Sequence, residues 1–227
     1  MGCLLKQGGG LYARLRIGAV LLAAGEGARM GGVAKPLIRL QGVPLIKRQL
    51  IALSGAGVDE VVVVTGFERE AVEAQVQEFP VTLAYNVDYT QGQQGSVRTG
   101  LAALNGRFDA VLVVLADQPL IGANDLIELI AAFKKSQKRE GGQVVVPVVG
   151  GQRGNPILLD EEARTQILAS ETNLGCRHLI ERNPALVHVH ETTNPRFITD
   201  LDTLDDVQQL AERTGWKFEL PTREAAA

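Results

Sequence analysis

The sequence predicts an α/β protein: a doubly wound, mostly parallel sheet flanked by helices. Short runs rich in Val, Leu and Ile recur along the chain, and several, such as Val61–Val64 and Val111–Leu115, are apolar on both faces. Strands read that way when helices cover them from both sides. Amphipathic stretches with helix start and stop signals separate the runs. Regular alternation of this kind joins parallel strands through crossover helices.

The elements follow in order. The first strand is expected over 18–24. A helix over 44–54 opens on Pro44 and closes at Gly55 and Gly57, matching the preference for proline at helix starts and glycine at ends. A strand over 60–65, a helix over 68–78 and a short strand over 82–85 come next. Ser96 can cap a helix over 96–104. The apolar strand 110–115 runs straight into Ala116-Asp117-Gln118-Pro119. A helix over 124–137, capped by Asn124, leads to a strand over 143–149. Helices over 161–168 and 176–182, a strand over 186–190 and a helix over 204–214 complete the pattern.

With 227 residues and 45% hydrophobic composition, the chain suits one globular domain with a sizeable core. That domain is expected over 17–216, with a flexible leader over 1–16 and a tail over 217–227. The formal net charge of −3 offers no basic field for nucleic acid. No apolar run reaches the length of a membrane span. Cys3 and Cys176 are the only cysteines, too few for a disulfide framework or a zinc set. A free-thiol, cytoplasmic setting is the expectation.

Residues Gly18–Pro36 read GAVLLAAGEGARMGGVAKP. An apolar strand enters a glycine-rich loop that carries Arg29 and ends on Lys35. Glycines let backbone N–H groups approach phosphate oxygens without Cβ interference. Arg29 adds a planar fork and Lys35 a mobile point charge. A P-loop fits poorly, because Pro36 follows Lys35 where a Ser or Thr hydroxyl is required. The dinucleotide fingerprint fits poorly, because the second strand ends in Thr65-Gly66 with no acid for a ribose.

Asp117 falls just past a strand's carboxyl end, where ligands gather in open α/β sheets. A polyphosphate needs a hard divalent cation, and such cations take oxygen ligands. Late in the chain, alternation along an extended Asp200-Leu201-Asp202 would put both acids on one face. Asn86 offers an amide that both donates and accepts. A helix start at Ser96 offers N–H groups to an anion. Each of these also has a plain structural reading as a cap, turn or loop residue.

The loop resembles that of the nucleotidyltransferase family that includes the molybdenum cofactor cytidylyl- and guanylyltransferases. Leu22-Ala23-Ala24-Gly25, Arg29-Met30-Gly31 and Lys35 carry the likeness, and Ala116-Asp117-Gln118-Pro119 is similar to a signature of the cytidylyl branch. Asn86, Gly92, Ser96 and Gly100 match a further stretch of that branch. Gly151-Gln152-Arg153-Gly154-Asn155-Pro156 resembles the family's acceptor segment. Asp200-Leu201-Asp202-Thr203 resembles its late metal motif, with Leu204 in place of the usual proline.

The resemblance implies a Rossmann-like nucleotidyltransferase fold and transfer of CMP from CTP to the terminal phosphate of molybdenum-loaded molybdopterin, with release of pyrophosphate. It assigns Leu22, Ala23, Ala24, Gly25, Gly27, Arg29, Lys35, Asn86, Gly92 and Ser96 to the nucleotide. Arg153, Gly154 and Asn155 fall to the acceptor. Asp117 would hold Mg2+ or Mn2+ together with Asp202, Asp200 or both, the choice between the last two being left open by Leu204 in place of proline, and Arg29, Lys35 and Asp117 would carry the catalysis. A molybdoenzyme or its maturation chaperone is the implied recipient of the product. Two alternatives stand beside it: transfer to a sugar 1-phosphate or another phosphorylated acceptor, and a non-catalytic carrier of the finished cofactor.

Overall fold

A computed structural model describes residues 14–136, 142–170 and 175–221. Most of the expected leader, including Cys3, and the last six residues of the tail lie outside the described residues. The strands are β1 (Ile17–Ala23), β2 (Arg39–Leu40), β3 (Val43–Pro44), β4 (Glu60–Thr65), β5 (Thr82–Tyr85), β6 (Ala110–Leu115), β7 (Val144–Val149), β8 (Gln152–Arg153), β9 (Ile157–Leu159), β10 (Val187–Glu191) and β11 (Phe218–Glu219). The helices are α1 (Leu45–Gly55), α2 (Arg69–Ala74), α3 (Gln93–Ala103), α4 (Ala123–Lys135), α5 (Glu161–Ala169), α6 (Cys176–Arg182) and α7 (Leu204–Thr214).

The main sheet runs β10-β7-β9-β6-β1-β4-β5, with β8 paired to β7. Pairing is parallel at β1–β4, β1–β6, β4–β5 and β10–β7. Only β9, antiparallel to β6 and β7, and β8 break the parallel order. This is the mostly parallel sheet the alternation predicts.

β1 shows why the sheet must be wound on both faces. Ala19, Leu21 and Ala23 point into one core with α1, α2 and α4. Val20, Leu22 and Ala24 point into the other, with α3, α5 and α6. A period of two along an all-apolar strand feeds two cores at once. Gly100 lets α3 press close: a Cβ there would overlap Val20 Cγ1 and sit 2.7 Å from Val64 Cγ2.

A third cluster matters for the site. Met30, Ile38, Leu40, Leu45, Leu201, Val207 and Leu210 pack together. They join the early loop, the β2–β3 hairpin, the late Asp-Leu-Asp segment and α7. Phe218–Glu219, within the segment read as tail, pairs antiparallel with β2.

Three details differ from the sequence reading. α3 starts at Gln93 rather than Ser96, so Ser96 is an interior helical residue and not a cap. α4 is capped at Gly122, whose N–H donates to Asp125 Oδ2 at 2.8 Å, rather than by Asn124. β9 follows Asn155-Pro156 as an apolar triplet too short to stand out from a turn. Among the described residues no helix is long and apolar enough to cross a membrane.

Candidate active site

β1 ends at Ala23, and the chain leaves the sheet through Ala24 and Gly25. Gly27 turns it, with φ +60° and Met30 N–H donating to its carbonyl at 2.8 Å. A side chain there would drive its Cβ into the Val33 carbonyl oxygen. A short 3-10 turn over Ala28–Met30 presents Arg29 outward while Met30 anchors in the core. A second turn, Lys35–Leu37, uses Pro36 and the fully buried Ile38 to aim Lys35 back toward the sheet edge.

Asp117 arrives from the carboxyl end of neighbouring β6. Ala116 N–H donates to Leu22 O at 3.1 Å, so β6's exit is registered against β1. The late segment is pinned in turn: Leu201 N–H donates to Asp117 O at 3.0 Å, and Leu201 is completely buried. With Leu201 inward, Asp200 and Asp202 both line the cleft, as strand-like alternation requires. The cap of α7 is Thr203 with Asp206, which leaves the Asp202 carboxylate free of capping duty.

Lys35 Nζ lies 2.9 Å from Asp117 Oδ2 and 2.7 Å from Asp202 Oδ1, while Arg29 pairs with Asp202 Oδ2 at 2.8 Å. Burial pulls the Lys35 amine down, but the Asp117 and Asp202 charges outweigh it and hold it above its ordinary value. Burial works against Asp202 as well, yet Lys35 and Arg29 keep its carboxyl below the usual range. Asp200 behaves oppositely. Burial first, then the Asp117 charge, pushes it up to about 6.

Asp117 Oδ1 and Asp200 Oδ1 are buried and have no hydrogen-bond partner. Two neighbouring carboxylates with orphaned oxygens are a donor set for a hard cation. Among the described residues no group of three or more His, Cys, Asp or Glu side chains is gathered around one point. The Lys35 ammonium bridges Asp117 and Asp202.

The cleft encloses about 660 Å³. Of the residues singled out from the sequence, Leu22, Ala23, Ala24, Gly25, Gly27, Arg29, Lys35, Gly92, Ser96, Asp117, Asn155, Asp200 and Asp202 line it. Asn86, Arg153 and Gly154 do not. Asn86 is buried; its amide donates to Ser96 Oγ at 2.9 Å and accepts from Asp88 N–H at 3.1 Å. Each end of the amide thus has one partner within the protein. Arg153 sits exposed on β8, and Gly154 packs against the Phe197 carbonyl.

The family described as the MobA-like NTP transferase domain matches residues 19–189, about three quarters of the chain. The chain belongs to that family. Nicotine blue oxidoreductase of Paenarthrobacter nicotinovorans is 27% identical over 194 residues, covering 84% of this chain and 94% of that protein. The bifunctional enzyme IspD/IspF of Clavibacter michiganensis is 36% identical over 143 residues, covering 60% of this chain and 34% of that protein. The match therefore spans about a third of the bifunctional enzyme's length. A solved nucleotidyl transferase from Methanothermobacter has the same fold, with a TM-score of 0.72 at 22% identity over 87% of this chain and 97% of that one. Fold and enzyme class are thus those of a MobA-like nucleotidyltransferase.

In this MobA-like domain, sequence reasoning missed Pro36, Tyr89, Gln93 and Arg177 among the cleft-lining residues. Gln93 escaped because the helix start was placed three residues late. Arg177 lies at the start of a short amphipathic helix and had no motif signal. Only the packing of α6 against α3 brings it to the cleft.

Proposed function

We propose that the chain transfers CMP from CTP to the terminal phosphate of a molybdenum-loaded molybdopterin, releasing pyrophosphate. One observation carries this reading: the Arg29–Lys35 loop and the Asp117, Asp200 and Asp202 carboxylates meet in a single cleft at the carboxyl end of the sheet. A phosphate oxygen of the acceptor forms a bond to the α-phosphorus as the bond to the β-phosphate bridging oxygen breaks. The nucleophile is already ionised, so no general base is needed, and catalysis rests on in-line positioning and charge neutralisation.

The backbone of Gly25 to Gly31 cradles the β- and γ-phosphates. Arg29 and Lys35 stabilise the charge gathering on the departing pyrophosphate. Asp117 and Asp200 would hold Mg2+ or Mn2+ through their orphaned oxygens, and when bound the ion neutralises phosphate charge and orients the triphosphate. Using one or two carboxylates plus phosphate oxygens suits such an ion better than an all-protein cage. Asp202, already paired twice, serves as the counter-charge that holds Arg29 and Lys35 in place.

The likeness of Leu22-Ala23-Ala24-Gly25 to the cytidylyl branch supports cytidine, and all four residues line the cleft. The receiving partner of the product, a molybdoenzyme or its maturation chaperone, belongs to the same proposal.

The test is pyrophosphate release from CTP, GTP, ATP and UTP against molybdenum-loaded molybdopterin and against sugar 1-phosphates. Turnover with CTP and molybdopterin at the highest kcat/KM is the expected result. Preference for a sugar 1-phosphate would overturn the acceptor. The long match to a protein named an oxidoreductase favours a second reading, in which the cleft serves a redox reaction. Oxidation or reduction of a small molecule without pyrophosphate release would establish that reading instead.

A further inference from the structure

The acceptor side of the cleft lacks the cation that sequence comparison assigned to it, because Arg153 stands outside. Another arginine lines the wall. Arg177 opens α6 and, with Arg29 and Lys35, is one of three cationic residues on the cleft surface. The other two are tied to carboxylates at the triphosphate end. Arg177 is not. Its Nε donates to Glu181 Oε1 at 2.9 Å, and its side chain is 85% exposed.

Its position is built rather than incidental. Gly175 allows α6 to abut the first turn of α3: a Cβ on Gly175 would stand 2.7 Å from Gln94 Cγ. Gln94 Nε2 meets His178 Nδ1 at 3.4 Å, a second tie between the two helices. Leu179 and Ile180 bury the opposite side of α6 in the core shared with α3 and α5. The first turn of α6 is thereby held against that of α3, and Arg177, Gln93 and Asn155 all line the cleft. Glu181 gathers the positive charge of this wall. Its carboxyl lies below the usual range, first through the Arg177 hydrogen bond and further through His178 and Arg153. Glu181 holds the guanidinium through Nε and leaves the terminal N–H fork for a planar or tetrahedral oxyanion.

We propose that Arg177 binds the phosphate of the acceptor, with Asn155 beside it. The proposal rests on the transfer reading above for the identity of the acceptor. Arg29 and Lys35 then serve the nucleotide and Arg177 the incoming phosphate, so that one cleft holds both reactants. Arg153 is left as an outer, exposed charge.

Two arms decide it. Calorimetry measures binding of molybdenum-loaded molybdopterin to protein saturated with an α,β-methylene analogue of CTP. Arg177→Ala should weaken acceptor binding about ten- to a hundredfold, the usual cost of losing a charge-assisted contact. Arg177→Lys should recover part of the loss, and Arg153→Ala should bind as the wild type does. In the turnover arm, Arg177→Ala should raise the acceptor KM with the CTP KM unchanged. Equal acceptor binding by wild type and Arg177→Ala, no acceptor binding by the wild type, or a weakened CTP affinity in Arg177→Ala would each overturn the assignment. Wild-type acceptor binding without pyrophosphate release would overturn the transfer reading and leave the Arg177 result standing.

Discussion

At the scale of single residues, Lys35 decides how the site behaves. Only 14% of its side chain is exposed, and it is shared between two carboxylates. Two of its three N–H groups are held by these acids, and the third is left for a triphosphate in the proposed reaction. Lys35→Ala should raise the CTP dissociation constant about ten- to a hundredfold, measured by calorimetry in the presence of Mg2+. Asp117→Asn keeps the shape and removes the charge. It should lower kcat for pyrophosphate release at least about a hundredfold, the scale of losing a fixed transition-state charge, with an unchanged far-UV circular dichroism spectrum. Wild-type turnover by Asp117→Asn would remove this residue from the mechanism. Other side chains are simply absorbed by the fold. His190 Nε2 meets Glu128 Oε1 at 2.7 Å, a local pair on β10 and α4.

At the scale of elements, close approach of α3 to the sheet sets the floor of the cleft. Ser96 and Gln93 from this helix line the same cavity as Leu22 and Ala24 from β1. The approach depends on Gly100, where any Cβ collides with the Val20 and Val64 side chains. Overpacking of this sort costs about 1–3 kcal/mol. Gly100→Ala should therefore lower the urea midpoint with the m-value unchanged, and it should also raise the CTP KM because α3 shifts outward. A variant of wild-type stability would show that the contact relaxes without moving the helix.

At the scale of the whole molecule, the site is assembled from residues 29, 117, 177 and 202, which are distant in the chain. The clasp is the third hydrophobic cluster, in which Met30 and Ile38 from the early loop meet Leu201, Val207 and Leu210 from the late segment. Leu201 both fills that cluster and donates its N–H to Asp117 O. Leu201→Ala should destabilise the fold by about 2–5 kcal/mol, as large-to-small core changes do. Because Asp200 and Asp202 flank the lost side chain, transfer activity should fall even at temperatures where the variant stays folded. Thermal unfolding and pyrophosphate release on the same preparation separate the two effects.

The sequence by itself determined the fold class, the six principal strands, the cationic loop and the place of Asp117. These follow from local chemistry: apolar runs bound for two cores, glycines before an arginine and a lysine, and an acid at a strand exit. Asp200 and Asp202 were legible as a pair because alternation is a local property. Tertiary structure alone decided that Lys35 bridges two of the acids, that Asp200 keeps an unpartnered buried oxygen, that Asn86 spends its amide on Ser96, and that Arg177 rather than Arg153 reaches the cleft. Each of those outcomes depends on how far one element slides over another. Packing of α3 on the sheet at Gly100 and of α6 on α3 at Gly175 helps set that distance, and no spacing along the chain encodes it.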